Sequence, residues 1–156
     1  MSQIKVDSIV PSGGLPSGSS GGIVQIVNGT TSTSVTSSTN VYVASGLTAT
    51  ITPTSTSNKI LVLGNLGGCD KRTGNTYMSV SLRRDSSEIY VPEVQALWSD
   101  STATTSQTVS FQYLDSPATT SAVTYDVYFK SVGNTAQVSV QWASAGSSIT
   151  LIEVSG

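Results

Sequence analysis

The 156-residue chain predicts an all-β protein: a jelly-roll-like antiparallel β-sandwich preceded by an extended N-terminal arm. Three observations lead there. Apolar and polar residues alternate with period two along most of the chain. The apolar set is largely β-branched or aromatic, which suits a pleated, half-buried surface. Gly, Pro, Ser and Asn break the runs at short intervals, and no stretch carries i, i+3, i+4 spacing filled with good helix formers.

Residues 1–22 stand apart. Ile4, Val6, Ile9 and Val10 form a short apolar/polar stretch, and PSGGLPSGSSGG follows at 11–22 with Leu15 as its one large apolar residue. Gly/Ser tracts with Pro have linker composition, and 22 residues can span about 70 Å at about 3.3 Å each. Five aliphatic side chains return too little to order 22 residues alone, at about 1–2 kcal/mol of backbone entropy per residue. The expectation is an assembly arm, with Ile4, Val6, Ile9, Val10 and Leu15 as its contact residues, ordered by strand addition on another subunit.

From residue 23 to 156 the reading is one sandwich domain. Ile23–Val27 is an apolar run closed by Asn28-Gly29, a strong hairpin-turn pair. Leu47, Ala49 and Ile51 alternate with threonines. Ile60–Leu63 is continuously apolar, as in a strand covered on both faces. Met78/Val80/Leu82, Val109/Phe111/Tyr113, Val123/Tyr125/Val127/Phe129, Val138/Val140/Trp142 and Ile149/Leu151 each sit on one side of an alternating run. The inward set should include Phe111, Tyr125, Val127, Phe129, Val140 and Leu151. Longer loops are expected at 64–76, 92–107 and 115–121, the second carrying Trp98 as a surface or interface contact or as a plug at the sandwich end. Eight or nine short strands fit a jelly roll. An immunoglobulin-like sandwich is the alternative, although the Cys–Trp–Cys pattern is absent.

Composition narrows function. Charged residues make up 10% of the chain, while 29 Ser and 21 Thr give it a polar, largely uncharged surface. With seven basic residues and a net charge of −2, counterion-releasing contact with nucleic acid is not expected. No apolar run approaches the ~20 residues of a membrane helix. The opening MSQIK lacks a signal-peptide layout, so the chain is expected to be made and used without secretion machinery. Without histidine, the common triads and zinc motifs lack a member, and no phosphate loop or dinucleotide fingerprint occurs, so no cofactor or metal is expected. Cys69 has no disulfide partner and reads as a buried, inert thiol. A glycosidase pair could be sought among Asp85, Glu88, Glu93 and Asp100, but solvated loop carboxylates are the simpler reading.

The blocks SGLTATITPTSTSNKILV (45–62), LDSPATTSAVTYDVYFKS (114–131) and ITLIEVSG (149–156), with the opening IKVDSIVPSGG, resemble small virion structural and tail-fibre-like proteins of tailed phages of cyanobacterial and marine bacterial hosts. That resemblance implies a virion component assembled in the host cytoplasm, a β-rich fold and homotrimers. It carries over no functional residues. The resulting expectation is a non-enzymatic homotrimeric tail or surface fibre, joined to other virion proteins through its arm and presenting the sandwich to a host glycan or receptor. A trimeric capsid decoration protein is the alternative, and a virion-associated glycan hydrolase the minor one.

Overall fold

The structure is a computed structural model and describes residues 22–156. The arm residues Ile4, Val6, Ile9, Val10 and Leu15 lie outside the described residues. Ten strands follow: β1 (Ile23–Thr31), β2 (Val35–Ser37), β3 (Val43–Ile51), β4 (Lys59–Lys71), β5 (Thr76–Arg84), β6 (Ser87–Ser99), β7 (Thr105–Asp115), β8 (Val123–Gly133), β9 (Val138–Val140) and β10 (Ser147–Val154). All pairings are antiparallel.

The strands form two sheets. One runs β1–β10–β4–β7 and the other β3–β8–β5–β6, so the chain switches sheets in the double Greek-key order of a jelly roll. The short β2–β9 pair continues the first sheet past the end of β10. β4 is long enough to hold β10 along residues 59–65 and β9 at Asp70 and Lys71 on one edge, with β7 on the other.

Alternation places the core between the sheets. Leu47, Ile51, Ile60, Val62, Met78, Val80, Leu82, Tyr125, Val127, Phe129, Val140, Ile149 and Leu151 are all buried. Full burial of each such side chain contributes about 1.5–3 kcal/mol. Phe111 faces inward as expected but stays half-buried, its ring seated over Gly64, where an added Cβ would lie 2.1 Å from the ring. Two polar clusters tie the sheets together. At one, Asp115 at the end of β7 accepts from Arg84 Nη1 (2.7 Å) on β5 and from Tyr125 Oη (2.6 Å) on β8. At the other, Lys71 is fully buried and its Nζ donates to the carbonyls of Thr73, Ser99 and Ser101 at 3.1–3.2 Å.

Several sequence expectations need correction. Asn28-Gly29 is not a turn: it lies within β1, opposite Thr150 and Ile149. Gly29 is there for close approach, because a Cβ would sit 2.0 Å from the Thr48 carbonyl oxygen of the other sheet. The loop expected at 64–76 is mostly the second half of β4, bulged between Leu66 and Cys69, and its glycines let the 3-10 turn Trp142–Ser144 pack against it. The loop expected at 92–107 is the second half of β6, a short connection and the start of β7. Trp98 therefore sits on a strand; at 59% exposure in the single chain it does not plug the sandwich end. Leu97 adopts φ 70°, which turns it inward beside Ala96 and breaks the alternation. Ile60–Leu63 is covered on one face only, since Leu63 is exposed. The strand ends at Val140, and Trp142 opens onto the surface.

Candidate functional site

The outer face of the β3–β8–β5–β6 sheet carries most of the surface chemistry. Register aligns Tyr77 with Val132, Ser79 with Lys130, Ser81 with Tyr128 and Arg83 with Asp126, all pointing away from the core. Tyr42, just before β3, folds across this face, and its hydroxyl shares a 2.8 Å hydrogen bond with Ser79 Oγ. Lys130 Nζ lies 4.7 Å from the centroid of the Tyr42 ring. Arg83 lies 5.4 Å from the same ring and 4.3 Å from that of Tyr128. Two cations and two phenol rings thus brace one another, an arrangement that keeps the rings at fixed orientation.

Beside this brace runs a groove of about 430 Å³, lined by Tyr42, Tyr77, Ser79, Lys130 and Val132 and walled by Val91, Val94 and Gln95 of β6. The bulges of β6 open it: the β5–β6 register shifts repeatedly between Thr76 and Arg83. Two aromatic faces, an ammonium, an amide and a hydroxyl converge there. Such a set can stack on one face of a polyhydroxylated ring and hydrogen-bond its edge. Val94 is exposed on the wall of the groove, and Trp98 is exposed farther along β6. The sequence reading singled out Trp98 and missed Tyr42, Tyr77 and Lys130, which are 88 residues apart at the extremes and meet only through strand pairing. No short-range pattern marks such a site.

The four carboxylates considered for catalysis have structural positions. Asp85 occupies the two-residue β5–β6 turn, where its Oδ1 accepts from Thr124 N at 2.9 Å. Glu88 accepts from Ser81 Oγ at 2.8 Å, and Glu93 accepts from the N–H groups of Val94 and Gln95. Asp100 lies exposed in the β6–β7 connection.

Glu153 is the carboxylate that matters for the fold. It is fully buried on the inward side of β10, continuing the face of Ile149 and Leu151. It accepts from Thr54 N (2.7 Å), Thr54 Oγ1 (2.9 Å), Asn58 Nδ2 (2.6 Å) and Gln25 Nε2 (2.5 Å). Burial pushes its pKa up, but the hydrogen bonds from Asn58, Gln25 and Thr54 outweigh burial and bring it from 4.5 down to about 2. Cys69 is buried and its Sγ points to Leu66 O; burial pushes the thiol up to about 12 against a weaker opposing backbone hydrogen bond. The thiol therefore stays protonated and unreactive in the folded chain. The Tyr125 phenol is also raised, by burial first and then by its bond to Asp115. Among the described residues, no group of three or more His, Cys, Asp or Glu is placed to hold a metal ion, and no helix is long and apolar enough to cross a membrane.

No family model and no curated protein matches the chain. Among solved structures, a chain from the structure of the infectious bursal disease virus Gx strain aligns with a TM-score of 0.45 at 13% identity. The alignment covers 86% of this chain and 33% of that one, so the present chain spans a third of the length of the matched chain. The jelly-roll order stands on the strand pairing itself.

Proposed function

We propose that this chain is a non-catalytic structural protein of a phage particle, specifically a homotrimeric tail or surface fibre whose segment 1–22 attaches it to the virion and whose sandwich meets the host surface. The observation that carries the reading is the groove on the β3–β8–β5–β6 face, with Tyr42, Tyr77, Gln95 and Lys130 converging on a rigid sheet. On a chain poor in charge and rich in hydroxyls, the groove and the brace beside it bring three tyrosines, Lys130 and Arg83 together on one face; a second cation–ring pair, Arg72 over Trp142 at 3.9 Å, lies apart from it. Its chemistry fits a cell-surface glycan. The sequence resemblance to phage virion proteins supports the particle, and the linker composition of 11–22 supports a tether.

Copy number tests the assignment. Densitometry of purified virions against the major capsid protein should give tens of copies per particle, as expected of fibres; hundreds would make the chain a head decoration protein instead. Deleting residues 1–22 should leave a folded sandwich that no longer joins particles. Incorporation of the truncated chain at full copy number would move the attachment surface onto the sandwich. Release of reducing sugar from host glycans by the purified protein, abolished by replacing Glu88 or Glu93, would overturn the non-catalytic reading.

A further inference from the structure

The groove on the β3–β8–β5–β6 face is lined by neutral groups and one cation. Tyr42, Tyr77, Ser79, Gln95 and three valines carry no charge, and Lys130 is the charged residue among them. Among the described residues the ion pairs are Arg72–Asp70 and Arg84–Asp115, so no carboxylate lies within 4.0 Å of the Lys130 ammonium. Arg83 has no such partner either, and both cations contact the Tyr42 ring. Distances of 4.7 and 5.4 Å to one centroid keep the two within about 10 Å of each other, close to the ~8 Å screening length of physiological salt. The neighbouring carboxylates do not neutralise Lys130. Glu93 borders the groove, where Ser79 Oγ donates to its carbonyl, but its Oε1 accepts from the N–H groups of Val94 and Gln95. Glu88 and Asp126 stand opposite Arg83, four residues along the strands from the Ser79–Lys130 pair, about 13 Å away.

We infer that the groove takes an acidic glycan, in which a pyranose ring carries an anionic substituent, carboxylate or sulfate, that Lys130 receives. The inference rests on the proposed glycan-binding role and deepens it by naming the class of sugar. Charge selects the ligand. An ammonium is strongly hydrated, and a ligand that fills the groove displaces part of that water. A neutral sugar returns a hydroxyl acceptor, whereas an anion returns a charge-assisted hydrogen bond about twice as strong. A single lining cation matches one negative charge on the ring in contact; nucleic acid needs a run of phosphate contacts that this groove lacks. The other lining groups suit the rest of a sugar. The valines and the rings of Tyr42 and Tyr77 meet its C–H face, and the Gln95 amide and Tyr77 hydroxyl supply donors and acceptors for its hydroxyls. The volume of about 430 Å³ falls within the ~300–1,000 Å³ of small-ligand sites. Contact with Tyr42 fixes the ammonium in place before the ligand arrives.

The test is binding of the full chain to an array of matched oligosaccharides: uronate-containing and sulfated forms, each beside its carboxyl-reduced or desulfated counterpart. Wild type should hold the acidic member of a pair about five- to tenfold more tightly than the neutral one, the difference between a charge-assisted and a neutral hydrogen bond. That preference should shrink as salt is raised from about 0.15 M to about 1 M. Lys130→Gln should bring the ratio close to one, while Lys130→Arg keeps it. Preference for uronates identifies the anion as carboxylate and preference for sulfated forms as sulfate; either result upholds the inference. If Lys130→Gln impairs folding, the wild-type ratio and its salt dependence decide without it. Equal binding of acidic and neutral members by wild type overturns the acidic class and leaves the groove as a site for neutral glycans. An undiminished preference in folded Lys130→Gln also overturns the inference, because the anion then sits elsewhere. Retention of no member, acidic or neutral, overturns the glycan reading along with it.

Discussion

The two outer faces of this sandwich belong to sheets that share one core, yet they differ in almost every surface property. The β3–β8–β5–β6 face presents Arg83, Asp126, Lys130 and three tyrosines, with a groove where β6 bulges away from β5. The β1–β10–β4–β7 face presents an aliphatic row, Ile26, Ile152, Leu61 and Leu114, one residue from each strand in unbroken register, with Lys59 at one end and the Arg72–Asp70 ion pair beyond the bulge of β4. Irregular backbone accompanies the groove of tyrosines and cations, and regular register accompanies the aliphatic row. A bulge re-aims side chains and opens concavity, whereas unbroken register keeps like side chains in line from strand to strand. The difference teaches that one closed core can support two unrelated surfaces because outward residues do not contribute to it.

The core is what keeps the two faces independent, so breaking it gives the largest effect. Phe129 is fully buried on β8, at the centre of the tyrosine- and lysine-bearing sheet. Phe129→Ala should cost about 3–5 kcal/mol in chemical denaturation. Both faces should fail together, with ligand binding disappearing at the denaturant concentration that unfolds the chain. A variant that melts with the wild type would mean that β8 is shifted by one residue.

Next in size is the tie between the sheets at Asp115. Asp115→Ala leaves Arg84 Nη1 and Tyr125 Oη without their shared acceptor, and removing a hydrogen bond to a charged group costs about 1.5–3 kcal/mol. The destabilisation should appear in thermal melts at neutral pH. Equal stability of variant and wild type would show that water replaces the carboxylate at this end of the sandwich.

Glu153 sharpens the comparison through pH, because it braces the terminal end of the apolar-row sheet and touches nothing on the groove face. Its folded pKa, about 2, lies below its ordinary 4.5. The stabilisation is therefore fully present above about 4.5 and is lost as pH falls through about 2. Glu153→Gln should be less stable than wild type at neutral pH, and the gap should close as pH is lowered from 5 towards 2. A gap independent of pH would mean that packing, not the charge, makes the contribution.

Much of this was legible in the sequence, and the parts that were not share a cause. The alternating runs located the inward faces of β3, β5, β8 and β10, because period two translates directly into a buried and an exposed side. The second halves of β4 and β6 were hidden. In GNLGGCDK the glycines that read as a loop are there for close backbone approach, and in PEVQALWS the bulges destroy the period. The turn Asp85-Ser86, with φ values of 48° and 71°, lacks the Gly or Asn that marks a tight hairpin. Glu153 was hidden because a carboxylate on an apolar face reads as the end of a strand, and its partners Gln25, Thr54 and Asn58 lie about a hundred residues away. The groove and the aliphatic row depend on cross-strand register, which alternation within one strand does not specify.

The smallest effect on stability should accompany the largest effect on recognition. Tyr42 is half-buried and precedes β3, and its hydroxyl bonds to Ser79 while its ring braces Lys130 and Arg83. Tyr42→Ala removes one hydrogen bond and two cation–π interactions at a partly solvated site, at a cost of about 1–2 kcal/mol. Adsorption to host cells should fall sharply, because Lys130 and Arg83 lose the ring that orients them and the groove loses a stacking face. Tyr42→Phe separates the contributions: it keeps the ring and drops only the hydroxyl bond to Ser79, so it should retain most of the adsorption that Tyr42→Ala loses. If Tyr42→Ala adsorbs as wild type does while remaining folded, the groove is not the contact surface. The exposed Trp98 farther along β6 then becomes the residue to replace.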